Sequence, residues 1–127
     1  MGLKIYLKPK EKIIIAGALI NNGNQPAEIY LENEVPVLRQ KDLLSEKLAD
    51  TPCKRIYFVI QLMYFDTANL TAHHQTYWEL VRQLVAAAPS TLVMVDSISE
   101  EILNNRYYKA LKLSKKLIEY EHELISR

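Results

Sequence analysis

Apolar and polar residues alternate with a period of two at the start of the chain, which is the pattern of a half-buried strand. Leu3, Ile5 and Leu7 occupy one set of positions, and polar or aromatic residues occupy the other. An isoleucine-rich run follows, with Gly17 at a predicted bend or bulge. Residues 21–24 read Asn-Asn-Gly-Asn, a strong signal for a tight hairpin turn. The pattern predicts four strands, at residues 3–8, 11–20, 27–32 and 35–39. Short connections favour antiparallel pairing in a small meander or half-barrel.

Helical spacing replaces this alternation from Asp42 onward. Thr51 followed by Pro52 predicts an N-cap and then proline at the first helical position. The segment they open is rich in β-branched and aromatic residues, so a strand over residues 55–60 remains an alternative to the helix. Ser97 or Ser99 is expected to cap a later segment. The predicted helices are a short one near residues 42–48, then 52–65, 71–88, a segment after residue 97 or 99, and 105–125.

The last helix carries two apolar stripes. The first consists of Ala110, Leu113, Leu117, Tyr120 and Leu124. The second consists of Tyr107, Leu111, Ile118 and Ile125, of which Leu111, Ile118 and Ile125 are the predicted contact residues. Because one small core needs only one stripe, the second stripe predicts contact with a partner or with another copy of the chain. A homo-oligomer is therefore expected.

These elements predict an α+β fold, with a small antiparallel β-sheet at about residues 3–39 followed by a helical C-terminal part. Residues 1–127 suit a single domain, made of a β-rich layer (1–41) and a helical layer (42–127). Hydrophobic residues make up 49% of the chain, which is enough for a core and argues against disorder.

Composition narrows the class of protein. The single cysteine allows no internal disulfide and fits a reducing cytoplasm. No signal peptide and no apolar run long enough to span a membrane are predicted. The formal net charge is only +1, so any nucleic-acid binding must come from a local basic patch.

The sequence contains no motif that indicates an enzyme active site. Three glycines form no phosphate-binding loop. Adjacent residues His73 and His74 point in different directions on a helix, which makes a metal site improbable. Cys53 lies near a helix start, where thiolate is somewhat favoured, but it lacks a histidine partner in sequence. We expect neither an enzyme nor a cofactor or metal.

Basic residues cluster in the N-terminal part. They are Lys4, Lys8, Lys10 and Lys12, then Arg39 and Lys41, with Lys54 and Arg55 as a possible extension. Lys4 and Lys8 share one face of the first strand beside Tyr6, which suits contact with RNA phosphates and bases. A solvated strand face that discourages aggregation is the alternative. A second basic stripe, Lys109, Lys112 and Lys116, is typical of a solvent-facing helix.

Longer motifs carry a resemblance to a known family. Residues 51–58, Thr-Pro-Cys-Lys-Arg-Ile-Tyr-Phe, residues 61–64, Gln-Leu-Met-Tyr, and residues 38–42, Leu-Arg-Gln-Lys-Asp, resemble the FlbT family of bacterial flagellar regulators. The resemblance implies a post-transcriptional regulator of flagellin synthesis that acts on the 5′ untranslated region of flagellin mRNA and alters its stability or translation. It also implies a FlaF-type regulatory protein as a functional partner. Lys10 stands where the family pattern usually has glycine, and Ala16 where it usually has asparagine.

A shorter likeness bears on mechanism. Residues 8–11 and 34–39 are similar to the carbon storage regulator family of mRNA-binding proteins, which implies RNA contact at Lys8, Val37 and Arg39. The predicted RNA-binding residues are therefore Lys4, Lys8, Lys10, Lys12, Val37, Arg39, Lys41, Lys54 and Arg55. The rival hypothesis is a protein–protein adaptor that regulates through a partner without touching RNA.

Overall fold

The computed structural model describes residues 2–126, which form two compact units, 2–43 and 44–126. The first unit consists of antiparallel strands and the second of helices. The predicted α+β class, with the sheet first and the helices after it, is confirmed.

Five short strands build the first unit. They are β1 (Leu3–Leu7), β2 (Lys12–Ile15), β3 (Ala18–Asn21), β4 (Ala27–Leu31) and β5 (Val37–Arg39). β1 pairs with β4, so that Leu3 lies opposite Leu31 and Leu7 opposite Ala27. β2 lies between β3 and β5 in a second sheet. The alternation at the N-terminus works as expected, because Ile5 and Leu7 are buried in a cluster with Ile13.

The connectivity differs from the expected meander. Residues 11–20 form a hairpin of two strands, because the chain reverses at Ala16 and Gly17, which have φ of 51° and 86°. Residues 21–24 do not close a hairpin, since β4 pairs with β1 and not with β3. The side-chain amide of Asn22 instead donates to the carbonyl oxygens of Lys8 and Gln25 over 2.8 and 2.9 Å. This amide links residues 21–25 to the turn after β1, and the chain then continues into β4, which belongs to the sheet of β1.

Four helices build the second unit. They are α1 (Pro52–Phe65), α2 (Leu70–Ala87), α3 (Leu92–Leu103) and α4 (Tyr107–Ile125). The helix prediction for residues 52–65 is confirmed, and the strand alternative is wrong. The Thr51 hydroxyl oxygen accepts from the Lys54 backbone N–H over 3.2 Å, and Pro52 takes the first helical position.

Two other helix predictions are wrong. Residues 42–48 contain no α-helix, and only short 3-10 turns form around them, at Gln40–Asp42 and Glu46–Leu48. Ser97 and Ser99 lie inside α3, because that helix already begins at Leu92 after the turn at Pro89–Thr91. Pro89 begins the 3-10 turn that separates α2 from α3, and α3 continues directly from that turn.

The core of the second unit lies where α1 packs against α2 and α4, and α3 packs against α4. On α4 the buried residues are Ala110, Leu111, Ser114 and Leu117, so parts of both predicted stripes form one inner face. The buried Gln61 amide bridges both backbone groups of Leu44 over 2.9 Å each, which fixes the start of this unit on α1. Among residues 2–126, no helix has both the length and the apolar character needed to cross a membrane.

Candidate nucleic-acid interface

The turn between β1 and β2 is held in one conformation by hydrogen bonds. The Lys8 backbone N–H donates to Glu11 Oε1 over 2.8 Å, and the Glu11 N–H donates back to the Lys8 carbonyl over 3.0 Å. Lys10, at φ 62°, donates its N–H to the Gly23 carbonyl over 2.8 Å. With Asn22 also holding the Lys8 carbonyl, the turn presents its lysines from a fixed backbone.

Arg39 joins this turn to β5. Its Nη2 donates to the Tyr6 carbonyl over 2.6 Å and forms an ion pair with Glu11 Oε2 at 3.0 Å. The Lys8 N–H and then the Arg39 guanidinium lower the pKa of Glu11. Arg39 Nε is buried and has no acceptor within the described part of the chain. Arg39 is therefore first a structural clamp, with part of its guanidinium left at the surface.

A groove of about 880 Å³ opens above this turn. Its lining residues are Lys4, Tyr6, Leu7, Lys8, Pro9, Lys10, Glu11, Pro26, Arg39, Gln40 and Lys41. Five of these eleven residues are Lys or Arg and one is Glu, so the groove carries a formal charge of +4. Lys8, Lys10 and Lys41 form no salt bridge with any carboxylate of residues 2–126, so their ammonium groups are available to an anion.

The groove brings together five of the nine predicted RNA-binding residues, namely Lys4, Lys8, Lys10, Arg39 and Lys41. Lys12 is exposed on β2 outside the lining, and its backbone N–H donates to Gln40 Oε1 over 2.6 Å. Val37 is half-buried on β5. Lys54 and Arg55 belong to α1 in the other unit, where Lys54 pairs with Asp50 at 3.4 Å.

Sequence reasoning missed the residues that hold the groove in shape. Glu11 anchors both the lysine turn and Arg39, and Asn22 ties the turn to the segment before β4. The Asn-Gly pair at position 22 predicts a hairpin turn, but the Asn22 side chain bonds to the lysine turn instead. One local signal could have predicted the role of Glu11. An acidic residue directly after Lys8-Pro9-Lys10 can accept a hydrogen bond from the first backbone N–H of that turn.

The predicted partner residues on α4 fall in different environments. Leu111 is 2% exposed and packs in the core, so it offers no surface to a partner. Ile125 is 69% exposed, and Ile118 is half-buried. Ile118 and Ile125 line a second groove, of about 510 Å³, together with Thr51, Lys54 and four polar residues of α4.

Cys53 differs from the expectation that its position favours thiolate. Its side chain is fully buried. Burial, and then the nearby Glu121 carboxylate, raise the pKa of the thiol to about 12. Glu121 accepts from the Thr51 hydroxyl over 2.5 Å and from the Cys53 backbone N–H over 3.0 Å, so it occupies the anion position at the start of α1.

The histidines also have ordinary partners. His73 Nε2 lies 2.9 Å from Asp66 Oδ2, and His74 Nε2 lies 3.2 Å from the Tyr107 hydroxyl. The His73 ring and then the Asn69 amide lower the pKa of Asp66. Within residues 2–126 no three His, Cys, Asp or Glu side chains are grouped as metal ligands.

Residues 3–125 match the profile of a family described as flagellar protein FlbT. The chain belongs to the FlbT family. A probable flagellum biosynthesis repressor protein FlbT 1 from Bradyrhizobium diazoefficiens is 43% identical over 98% of this chain and 85% of its own length. The flagellum biosynthesis repressor protein FlbT of Caulobacter vibrioides is 36% identical over 97% of this chain and 89% of its own. A probable FlbT protein of Rhodopseudomonas palustris is 36% identical over the full length of both chains.

FlbT membership confirms the family expected from residues 38–42, 51–58 and 61–64. These relatives are named as repressors of flagellum biosynthesis, which supports a regulatory role in flagellar synthesis. No solved structure matches the chain.

Proposed function

We propose that this FlbT protein binds RNA through the lysine groove and regulates flagellin synthesis by acting on the 5′ untranslated region of flagellin mRNA. The observation that carries the proposal is the formal charge of +4 in one groove of a chain whose net charge is +1. Bound leader RNA would change translation or decay by occluding ribosomes or exposing the transcript to ribonucleases. No bond-making chemistry by the protein itself is required.

Two features of the groove support RNA over a small anion. Its volume of about 880 Å³ exceeds the space needed for one phosphate, so several phosphates in sequence fit along it. Its lysines Lys8, Lys10 and Lys41 are ammonium groups on flexible stems, which neutralise a backbone without demanding one geometry. The lining therefore suits a chain of phosphates.

The test is a binding titration of the purified protein with the flagellin leader RNA and with an unrelated RNA at several salt concentrations. Contact of four lysines with single-stranded phosphates predicts a log–log salt slope of about −3. A triple Lys8→Gln, Lys10→Gln, Lys41→Gln variant should reduce the magnitude of this slope by about 2. Arg39 is unsuitable for this test, since its loss would release Glu11 and the turn.

A matched control removes the same charge elsewhere. The triple Lys47→Gln, Lys109→Gln, Lys116→Gln variant changes three exposed lysines of the helical unit. Its slope and affinity should stay at the wild-type values. Equal losses in both triple variants would contradict a groove-specific site, and absence of leader binding beyond that of unrelated RNA would contradict direct recognition.

The groove at the end of α4 favours a second candidate function, that of an adaptor that binds a FlaF-type protein. Ile125 is 69% exposed there and faces the same groove as Ile118. Under this hypothesis an Ile118→Glu, Ile125→Glu variant loses binding to the purified partner while the triple groove variant keeps it. Because Leu111 is in the core, Leu111→Glu would report on folding and not on a partner.

A further inference from the structure

The outward face of the β1–β4 sheet combines two aromatic rings with one cation and one anion. Antiparallel register places Lys4 opposite Tyr30 and Tyr6 opposite Glu28. Successive side chains of a strand point to opposite faces, so these four residues share one side of the pair. Tyr6 is 61% exposed and Tyr30 is 60% exposed. The face therefore presents two tyrosine rings to solvent.

Polar contacts hold the rings in place. The Tyr30 hydroxyl donates to the Glu28 carboxylate. Lys4 Nζ lies 3.1 Å from Glu28 Oε1, 4.9 Å from the Tyr6 ring centroid and 6.0 Å from the Tyr30 centroid. The Tyr30 hydroxyl and then Lys4 lower the pKa of Glu28, and Lys4 balances its negative charge. The rings are thus preorganised on a rigid sheet, which lowers the entropy cost of binding.

This face is continuous with the lysine groove, because Lys4 and Tyr6 also line that groove. Tyr6 and Tyr30 are diagonal neighbours, one strand apart and two residues apart along the strand direction. That offset is about 7–8 Å, so the rings do not cover each other and each leaves surface for a separate planar group.

We infer that Tyr6 and Tyr30 form a stacking platform for two unpaired bases of RNA whose phosphates lie in the lysine groove. The inference rests on the proposed function and adds to it a class of target, single-stranded RNA. Every base has a π face, and aromatic residues on a sheet stack with bases that are splayed out of a helix. Bases inside a duplex are already stacked and paired, so a duplex cannot use the platform.

The combination on this face favours nucleotides over an apolar protein partner. A protein hot spot buries its aromatic residues in an apolar surround, with charge at the rim. Here Lys4 and Glu28 lie between the two rings, and the adjoining groove is strongly positive. Charge complementarity then comes from phosphates, while the rings contribute sequence-tolerant stacking.

The test uses an unstructured RNA of about a dozen nucleotides, the same RNA annealed to its complement, and a version of the single strand with abasic sites. Three proteins are compared, namely wild type, a Tyr6→Ala, Tyr30→Ala variant, and a Tyr6→Phe, Tyr30→Phe variant. Stacking contributes about 1–3 kcal/mol per base, so loss of two stacked bases should weaken binding of the single strand by the alanine variant roughly 30-fold or more. Its salt slope should equal that of wild type, because no lysine is lost.

The phenylalanine variant is the matched control. It keeps both rings and removes the hydroxyls, so its affinity should stay within about twofold of wild type. Wild type should bind the abasic strand as weakly as the alanine variant binds the intact strand, and the alanine variant should not distinguish the two strands. Such non-additivity ties the rings to the bases.

The outcomes separate the platform from the proposed function. The platform would be overturned if the alanine variant had the affinity and salt slope of wild type and if wild type bound single and double strands equally well. RNA binding by the groove would still stand in that case. An equal loss in both double variants, with circular dichroism and unfolding midpoints unchanged, would assign the effect to the hydroxyl–Glu28 contact and overturn stacking. Failure of wild type to bind any of the RNAs would overturn the proposed function and would leave the face to a protein partner.

Discussion

Lys10→Gly should make the protein more stable and its RNA binding weaker. Lys10 has φ of 62°, in the left-handed region. That region costs an L-residue roughly 1–2 kcal/mol, because Cβ crowds the following carbonyl oxygen. Glycine avoids this clash but loses about 0.5–1 kcal/mol more conformational freedom on folding. The expected net gain in the free energy of unfolding is about 0.5–1 kcal/mol, with no hydrogen bond lost, since the Lys10 N–H to Gly23 remains.

The same substitution removes one ammonium group from the groove. Loss of one phosphate contact reduces the magnitude of the salt slope by about 0.7, which is roughly a fivefold loss of affinity at about 0.1 M salt. Ala16→Gly is the matched control, because Ala16 has φ of 51° and carries no charge. It should stabilise the protein by a similar amount and leave RNA affinity unchanged.

The assays are urea denaturation followed by far-UV circular dichroism, native-state hydrogen exchange of the amides of β1 to β4, and the RNA titration. Hydrogen exchange is needed because a gain confined to the strand unit is measured most directly at its own amides. A lower free energy of unfolding in Lys10→Gly, with Ala16→Gly stabilised as expected, would refute the strain argument at Lys10. Equal RNA affinity in wild type and the Lys10→Gly variant would show that Lys10 does not contact RNA.

Two further predictions concern the start of α1. Glu121→Gln should lower the free energy of unfolding by about 1–2 kcal/mol, because the carboxylate that accepts from Thr51 and the Cys53 N–H is lost there; a midpoint in urea equal to that of wild type would contradict this. Cys53 should react with a thiol reagent at neutral pH only as fast as the protein opens, because its thiol is buried with a pKa of about 12. The control is the same reaction in concentrated urea, and equal rates in the two conditions would show that the thiol is accessible in the folded protein.

Helices could be predicted largely from local signals, since caps and periodicity lie within a few residues of the boundary. The Thr51-Pro52 pair correctly marked the start of α1 despite the β-branched and aromatic residues that follow. The start of α3 could not be found this way, because no side-chain cap precedes Leu92. α3 follows directly from the turn at Pro89–Thr91, and neither serine inside the helix indicates that start.

Strand positions were also largely predictable, but their pairing was not. Period-two alternation identifies a strand and its buried face, yet it says nothing about which partner satisfies the backbone groups. Here β4 returns to β1, and β5 pairs with β2. The bend predicted at Gly17 is present, but it is a full reversal shared with Ala16, which was not expected because alanine is a poor indicator of a left-handed turn. The resemblance led us to expect glycine at position 10 and asparagine at position 16, residues that adopt positive φ readily, and Lys10 and Ala16 both have positive φ here.

The sequence predicted the basic residues of the candidate site, but it did not predict the interactions that hold them in place. Lysine spacing was enough to propose a basic surface, and the groove does collect those lysines. The ion pair between Arg39 and Glu11 joins residues 28 apart, and no local pattern reveals it. The likeness to the carbon storage regulator family implied that Arg39 contacts RNA. In the structure its guanidinium is bonded to Glu11 and to the Tyr6 carbonyl.

A net charge of +1 is weak evidence against RNA binding in this chain, because its charges are segregated. Residues 2–43 contain six Lys or Arg and five Asp or Glu, nearly balanced, yet the groove holds five of the six cations and only one of the five acids. Within about a Debye length, roughly 8–10 Å at physiological salt, an RNA phosphate responds to this local imbalance more than to the net charge of the whole chain. The salt slope measures the same quantity directly, since it counts the phosphates neutralised and is insensitive to charge elsewhere on the molecule. A slope near −3 in wild type that falls by about 2 in the triple groove variant, and stays unchanged in the Lys47/Lys109/Lys116 control variant, would therefore assign the phosphate contacts to the groove.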